Sequence, residues 1–393
     1  MPSSSSKTQI SFRPEVTPGV FDPGPLQALP VRSESFEQAS QIFRNDSLTG
    51  RRSQQRGIIV GRSKKGQTPF YLDPNPIFHP LISAMMSAVP TPSATVAAAD
   101  ISFSSSDNSV NSAAGAFTAV AGQRVFILGS TQSENNGLKK VVTATAQKLT
   151  FAEAIVDEAA GAAITVKTTK MWRNGDVIRY QTFQRSWTDQ APVVHDHFPG
   201  MAVNSASLSY QQGGNPVGLD LDLMGLGQKH VAGDPLPTGL SNASLDVVTP
   251  APPPEMISAA ISVRAIFQSG ALATAKCSRF DIGVAQNIQE FGALGWLGAA
   301  ELILGDFVPS GTFEVLFENM AQLEAVRANA LDEFAIAVQD KLNRLLIVDI
   351  PAAELESGEP QSGGRNNLLT LPMGYTGVDS SLGHAMQTEY LEL

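Results

Sequence analysis

A chain of 393 residues exceeds what one hydrophobic core of usual size organises, so two or three domains are expected. Apolar residues make up 42% and charged residues only 16%, with 33 Gly and 25 Pro, a texture of short strands and tight turns that argues against long helices. The net charge is −10, and a single Cys277 excludes an internal disulfide framework and a Cys-rich zinc site.

Residues 1–80 hold ten bases against six acids, whereas residues 250–393 hold seven bases against eighteen acids. Opposite charge at the two ends suits attraction between copies of the chain, although two separately solvated faces would read the same way.

Residues 1–34 are rich in Ser and Pro without sustained periodicity, and they predict an extended N-terminal arm, disordered in an isolated monomer. The opening MPSSSSKTQISF lacks the apolar core of a secretory signal, and no stretch reaches the roughly 20 apolar residues of a membrane span. A product that stays in the cytosol, with no membrane partner, is expected. The nearest approach to a span, Ala293 to Gly305, is broken by Glu301 and several glycines and reads as strand and turn.

Arg56 to Leu72 predicts a strand, a Gly-containing turn and a second strand. A helix follows: Asn75 can cap it, Pro76 sits where a missing N–H costs nothing, and Phe78, Leu81, Ile82, Met85 and Val89 recur at helical spacing until Pro90. Residues 92–167 change texture to Ala, Ser, Thr and Val with an Asn135-Asn136-Gly137 turn, and predict a small inserted β domain. The main pattern resumes with an alternating strand from Asp176 to Trp187, then Met201 to Tyr210 and Val217 to Met224. In the last, Leu219, Leu221 and Leu223 share one face and Asp220 and Asp222 the other.

Pro250 to Glu255, with four prolines in six residues, is the linker candidate. Beyond it the order of elements recurs. Gly298 to Gly305 and Thr312 to Glu318 predict a hairpin, Met320 to about Ala330 a short helix, and Asp332 to Gln339 with Leu342 to Ile350 another hairpin; a strand-rich stretch follows through Met373 and Met386 to Leu393. The division this suggests is an arm at 1–34, a first domain at 35–91 and 168–249 carrying the insert at 92–167, a linker at 250–255 and a second domain at 256–393. The fold class is mainly β: two tandem β-sandwich domains, each with a flanking helix, plus the insert.

Several stretches carry a family resemblance. In the insert they are Phe117-Thr-Ala-Val with Gly-Gln-Arg-Val-Phe-Ile-Leu-Gly129, Glu134-Asn-Asn-Gly-Leu138 and Val156-Asp-Glu-Ala-Ala-Gly161. In the body they are Arg185-Ser-Trp-Thr-Asp189, Gly200 to Ser209, and Gly311-Thr-Phe-Glu-Val-Leu-Phe317 followed by a short helix. Each is common strand-and-turn language, but their order over residues 35–393 resembles the major tail tube proteins of siphophages, in particular the longer family with an inserted β domain. The resemblance implies a β-sandwich whose inner sheet joins neighbours into a closed barrel with a helix on its flank, and rings that stack into a hollow tube through which the genome leaves. It also implies self-association, contacts with tape-measure and tail terminator or distal tail proteins, and passage of DNA without specific binding. Assembly would take place in the host cytoplasm, and the insert would project outward. The Ser/Pro-rich arm and the Ala-rich opening of the insert, Ala97 to Gly115, depart from the family's usual pattern. Two tube domains in one chain would let three copies imitate a hexamer.

No phosphate loop of the Gly-x-x-x-x-Gly-Lys-Ser type, His-Glu-x-x-His helix or Gly-x-Ser-x-Gly elbow occurs, so no catalytic, cofactor or metal residue is assigned. His195 and His197 flank Asp196 without a third ligand at a suitable spacing, and they read as polar loop residues. Candidate lumen-lining residues are Asp220, Asp222, Glu314 and Glu318, because like charge keeps duplex DNA from sticking. Arg51, Arg52, Arg62, Lys64 and Lys65 have no interleaved aromatics and are candidates for contact with an acidic neighbouring ring rather than with nucleic acid. Trp172, Trp187 and Trp296 read as packing residues. Another virion β-protein, from the baseplate or decorating the capsid, and a carbohydrate-binding adhesin are the competing readings.

Overall fold

The computed structural model describes all residues except 1–6, 22–23, 45–55, 116, 162, 212, 214–215, 231–237, 259–262, 269–270, 273–275, 319 and 363–367. The fold is mainly β. The chain opens with β1 (Thr8–Pro14), β2 (Leu26–Leu29), β3 (Glu37–Phe43) and β4 (Ile58–Tyr71). The segment that reads as an arm therefore contributes two strands. Ile10 and Phe12, each 1% exposed, anchor β1 in the core. Two large apolar residues at alternate positions suffice there, because a partner strand paired with all seven residues of β1 supplies the register.

β4 is one strand of 14 residues and not two joined by a turn. Gly66 serves close packing: a Cβ there would lie 2.5 Å from the Phe36 ring. Asn75 Oδ1 accepts from the Ile77 N–H at 3.1 Å and opens a 3-10 turn at Pro76–Phe78, which leads into α1 (His79–Met85). Phe78, Leu81, Ile82 and Met85 are buried as their spacing predicts. Val89 is exposed, because Ser87 at φ 49° ends the helix before it.

Seven strands follow: β5 (Thr95–Ala98), β6 (Ile101–Ser104), β7 (Ser109–Ser112), β8 (Arg124–Leu128), β9 (Gly137–Ala144), β10 (Lys148–Phe151) and β11 (Ile164–Thr168). They form a sheet of their own, in the order β5-β11-β8-β9-β10-β7-β6, around Ile101, Phe103, Val110, Ile127, Leu149 and Val166. The chain then re-enters the body with β12 (Lys170–Arg173), β13 (Gln181–Trp187), β14 (Val194–Gln211), β15 (Gly218–Gly225), β16 (Gln228–Lys229), β17 (Leu240–Ser241) and β18 (Val248–Thr249). After the proline run come β19 (Val263–Gln268), β20 (Ala271–Leu272), β21 (Cys277–Ala285), β22 (Gln289–Gly292), β23 (Trp296–Leu297), β24 (Ala299–Ile303) and β25 (Val308–Leu316). The remainder is α2 (Met320–Arg327), β26 (Leu331–Gln339), β27 (Arg344–Gly358), β28 (Gln361–Ser362), β29 (Leu369–Gly377) and β30 (Gln387–Glu392).

The body has two layers. One is an antiparallel run, β3-β4-β15-β14-β21-β25-β29-β27, to which β14 and β27 lend only their C-terminal halves. The N-terminal halves of β14 and β27 belong to the second layer, where they pair with β13 and β17, and with β26 and β30. Between the layers lies one core, in which Leu208, Leu221, Ile282, Phe313 and Tyr375 of the first meet Phe12, Phe183, Phe198, Phe334 and Val348 of the second.

The seven-stranded sheet sits on the far side of the second layer. Phe126 and Leu138 pack on Ala335, Ala337, Leu345, Ile347 and Leu391. Beside them Arg124, 1% exposed, meets Asp349 at 2.7 Å, Glu389 at 3.1 Å and Glu333 at 3.5 Å. Lys140 reaches the same Glu333 and lies 3.6 Å from Asp349. Burial, and then the charge of Asp349, push the Glu333 carboxyl up.

Residues 92–167 are tied to the body by charge as well as by packing, since excision would strip Arg124 and Lys140 from buried Asp349 and Glu389 and from half-buried Glu333. Replacing Arg124 with Met is expected to destabilise the chain by about 3–5 kcal/mol, because it leaves buried charge uncompensated. Denaturant unfolding checks this; an unchanged midpoint would mean that the cluster contributes nothing to stability.

Candidate assembly interface

Alternation decides what each face of the eight-strand layer carries. Leu219, Leu221 and Leu223 of β15, Ala206 and Leu208 of β14, Ile282 and Val284 of β21, and Phe313 and Val315 of β25 point into the core. The residues between them form the opposite face. Cross-strand register aligns Gln67, Asp222, Ser205 and Ala285 in one row, and Pro69, Asp220, Ser207, Gly283, Ser310 and Thr376 in the next. A third row holds Ser209, Asp281, Thr312 and Gly374, and a fourth Gln211, Arg279, Glu314 and Pro372. This face is rich in hydroxyls and carboxylates, and its Arg279 is held by Asp281.

Of the four acids expected to share a surface, the structure brings three onto this face: Asp220, Asp222 and Glu314. Asp220 pairs with Arg32 at 2.7 Å, with both side chains well exposed, so the pair contributes little to stability. Glu318 lies beyond the end of β25, 3.7 Å from Lys276.

The basic cluster is split by the same alternation. Lys65 is exposed on the polar face, directly across from Glu37 of β3. Lys64 points the other way, is 4% exposed and donates to the Pro199 carbonyl at 3.3 Å; burial drives its ammonium down to about 8. Arg62 is half-buried on the Lys64 side, and Arg51 and Arg52 lie outside the described residues.

His195 and His197 share a face of β14 with their rings 6.3 Å apart, and Asp196 points away to pair with Arg185 at 2.7 Å. The carboxylate between them cannot join them on a metal, and no cluster of three His, Cys, Asp or Glu suited to a metal occurs among the described residues. Trp172 is fully buried and its indole N–H donates to Ser83 Oγ at 2.8 Å. Trp187 lies under the Arg185 guanidinium at 4.9 Å, and Trp296 pairs with Lys229 between β23 and β16.

Sequence reasoning missed the joint at the centre of the layer. β14 pairs with β21 from Ser205 opposite Ala285 to Gln211 opposite Arg279, so a strand before the proline run and one after it form continuous sheet. The joint sits inside a repeated pairing scheme. β4, β15, β14 and β13 are matched by β25, β29, β27 and β26, with the same neighbours in the same sense. Met201 faces Gly225 and Ala353 faces Gly377; 353 − 201 and 377 − 225 both give 152. The register slips after Val203 and, 152 residues later, after Leu355. Pro199 and Pro351 are likewise 152 apart. These prolines and glycines were the available signal, but in a chain with 25 Pro and 33 Gly they stand out only once the registers are known. At the outer ends of the layer β3 has only β4 beside it, and the Ser357–Ser362 stretch has only β29 beside it, among the described residues.

A family model described as phage tail tube protein matches residues 5–377. No curated protein matches the chain.

The buried histidines generate a prediction. Burial, helped by the Lys170 ammonium, holds His79 at about 3; burial, helped by His195, holds His197 at about 4. Both values lie below the unfolded one of about 6.5, so on acidification the unfolded chain takes up protons that the folded chain refuses. Stability is expected to fall between about pH 6.5 and pH 4, by up to about 1.4 kcal/mol per unit for each histidine. Urea midpoints over this range should fall less steeply for His197→Asn than for the parent; parallel slopes would exclude His197 as a source.

Proposed function

The chain belongs to the phage tail tube protein family and is a structural component of the virion tail, and we propose that three copies close into a ring and that rings stack into the hollow tube of a long non-contractile tail. The DNA genome passes through the bore without specific binding. The observation that carries this reading is the doubled pairing scheme joined edge to edge at β14 and β21. A chain that holds two copies of one unit head to tail can repeat the same contact with the next chain, and a head-to-tail contact closes into a ring when its rotation divides the circle. Closure also removes the open edges at β3 and β27 that would otherwise invite uncontrolled pairing. On this reading the chain carries two tandem tube domains, and three chains take the place of six smaller ones.

The polar face of the eight-strand layer then forms the wall of the bore. Asp220, Asp222 and Glu314 stand among hydroxyls there, and Glu318 marks a strand end at the rim. Fixed negative charge repels the phosphate backbone, and the cations of this face each stand against an acid, Arg279 with Asp281, Arg32 with Asp220 and Lys65 across from Glu37. The insert packs on the far side of the second layer, which supports a position on the outside of the tube. Arg51, Arg52 and Arg62 remain the proposed contacts to an acidic neighbouring ring, whereas Lys64 is better read as an internal tie to Pro199 and Lys65 as part of the wall. The tape-measure protein inside the tube and the terminator and distal tail proteins at its ends complete the partners, and assembly takes place in the host cytoplasm.

Electron microscopy of the purified protein and its tubes tests the proposal. Rings of uniform bore with threefold symmetry and six similar lobes are expected. Six whole chains around one bore would reject the threefold count, and a protein that stays monomeric under tube-forming conditions would reject the reading itself.

A further inference from the structure

The internal joint specifies how one chain should meet the next, residue by residue. Ser205 follows the register slip in β14, and Ser357 follows the matching slip in β27, so the two occupy equivalent places. On the receiving side, Met224 faces Lys65 and Thr376 faces Ser310, which makes Lys65 and Ser310 equivalent. Lys65 in turn faces Glu37, and Ser310 faces Gly283. Glu37 therefore corresponds to Gly283, and Ala39 to Ala285.

Within the chain Ser205 lies opposite Ala285. We infer that Ser357 of one copy lies opposite Ala39 of the next, in an antiparallel pairing that runs on to place Gln361 opposite Ser35. This rests on the ring reading above and adds its contact surface.

Side chains along this register suit it. Pro360 would lie opposite buried Phe36, as Leu208 lies opposite Ile282, which keeps the core side apolar across the seam. Gln361 and Ser35 would face each other on the wall side, where Ser209 donates to Asp281 inside the chain. One like-charged pair arises, Glu359 opposite Glu37. Each already has a cation: Arg327 lies 3.4 Å from Glu359, and Lys65 sits directly across from Glu37. Ala39 and Ser357 are not buried in the single chain, so both are accessible before assembly.

Cysteine pairs in the full chain test the register. With Cys277→Ser as background, Ala39→Cys and Ser357→Cys are combined, because directly opposed residues of an antiparallel pair lie about 4.5–5.5 Å apart at Cα, within reach of a disulfide. Mild oxidation of assembled protein should give a covalent closed trimer as the main species on non-reducing gels. Ser40→Cys with Ser357→Cys, slipped by one residue and so facing the other way, should stay uncross-linked. Rings in which the first pair fails, or in which the slipped pair links instead, would overturn the register and leave the ring reading standing. A closed band of six chains would support the joint and reject the threefold count. A parent protein that forms no rings by microscopy would overturn both.

Discussion

A strand inside a sheet satisfies its backbone donors and acceptors on both sides, and an edge strand leaves one side to water or to another chain. In this protein that constraint falls on β14. Its 18 residues serve two layers: the first half pairs in the second layer, the second half pairs with both β15 and β21 in the first, and the crossover lies near Pro199 and Gly200. Proline has no N–H to offer a ladder, and Gly200 adopts φ 73°, so the chain can leave one sheet for the other where a backbone donor is not needed. β27 repeats the arrangement around Pro351. The sandwich exists because these two strands bend across it, and the apolar faces they bring together form one core through both halves.

Charge inside the fold follows the same economy of placement. Arg344 meets Asp73 at 2.9 Å and Asp340 at 2.6 Å, which ties the stretch between β4 and α1 to the β26–β27 turn across the two halves. Arg124 performs the corresponding task between the insert and the second layer. Buried ion groups are weak contributors to net stability, since desolvation offsets most of the attraction, but they tolerate only one geometry. They orient surfaces that apolar packing alone would allow to slide. The insert is thereby fixed on β26, β27 and β30, and the small-residue patch of Ala335 and Ala337 gives it a flat seat.

Much of the layer was legible in the sequence. Strict alternation in Leu219 to Leu223 identified a half-buried strand with its acids outward, and Asn75-Pro76 marked a helix start that the cap hydrogen bond bears out. What stayed hidden had a physical reason in each case. β1 has too few apolar positions to signal a strand, yet it is buried because β13 is already there to pair with it. Gly61 and Gly66 read as a turn because glycine in isolation carries that meaning, whereas in β4 they relieve contacts with Gln41 and Phe36. The β14 to β21 joint depends on strands some seventy residues apart, and no local pattern encodes such a pairing.

The two halves are not interchangeable, and the differences fall where duplication permits them. Among the described residues, the first half alone carries an insertion after its helix, and the β22 to β24 strap belongs to the second, with Ile288, Ala299 and Leu302 packed on Ala202 and Leu226 of the first. Gly227 and Gly298 are required at that contact: a Cβ at 298 would lie 2.4 Å from the Arg62 carbonyl, and one at 227 equally close to the Leu297 carbonyl. In a ring of six identical chains, every subunit would have to carry both additions or neither. A fused pair frees each half to keep what its own neighbour can accommodate, so that in the proposed ring a strap braces each internal joint while only alternate lobes carry an insert. Specialisation of this kind needs the two units to be covalently ordered, because nothing in a symmetric edge-to-edge contact would otherwise tell one lobe from the next.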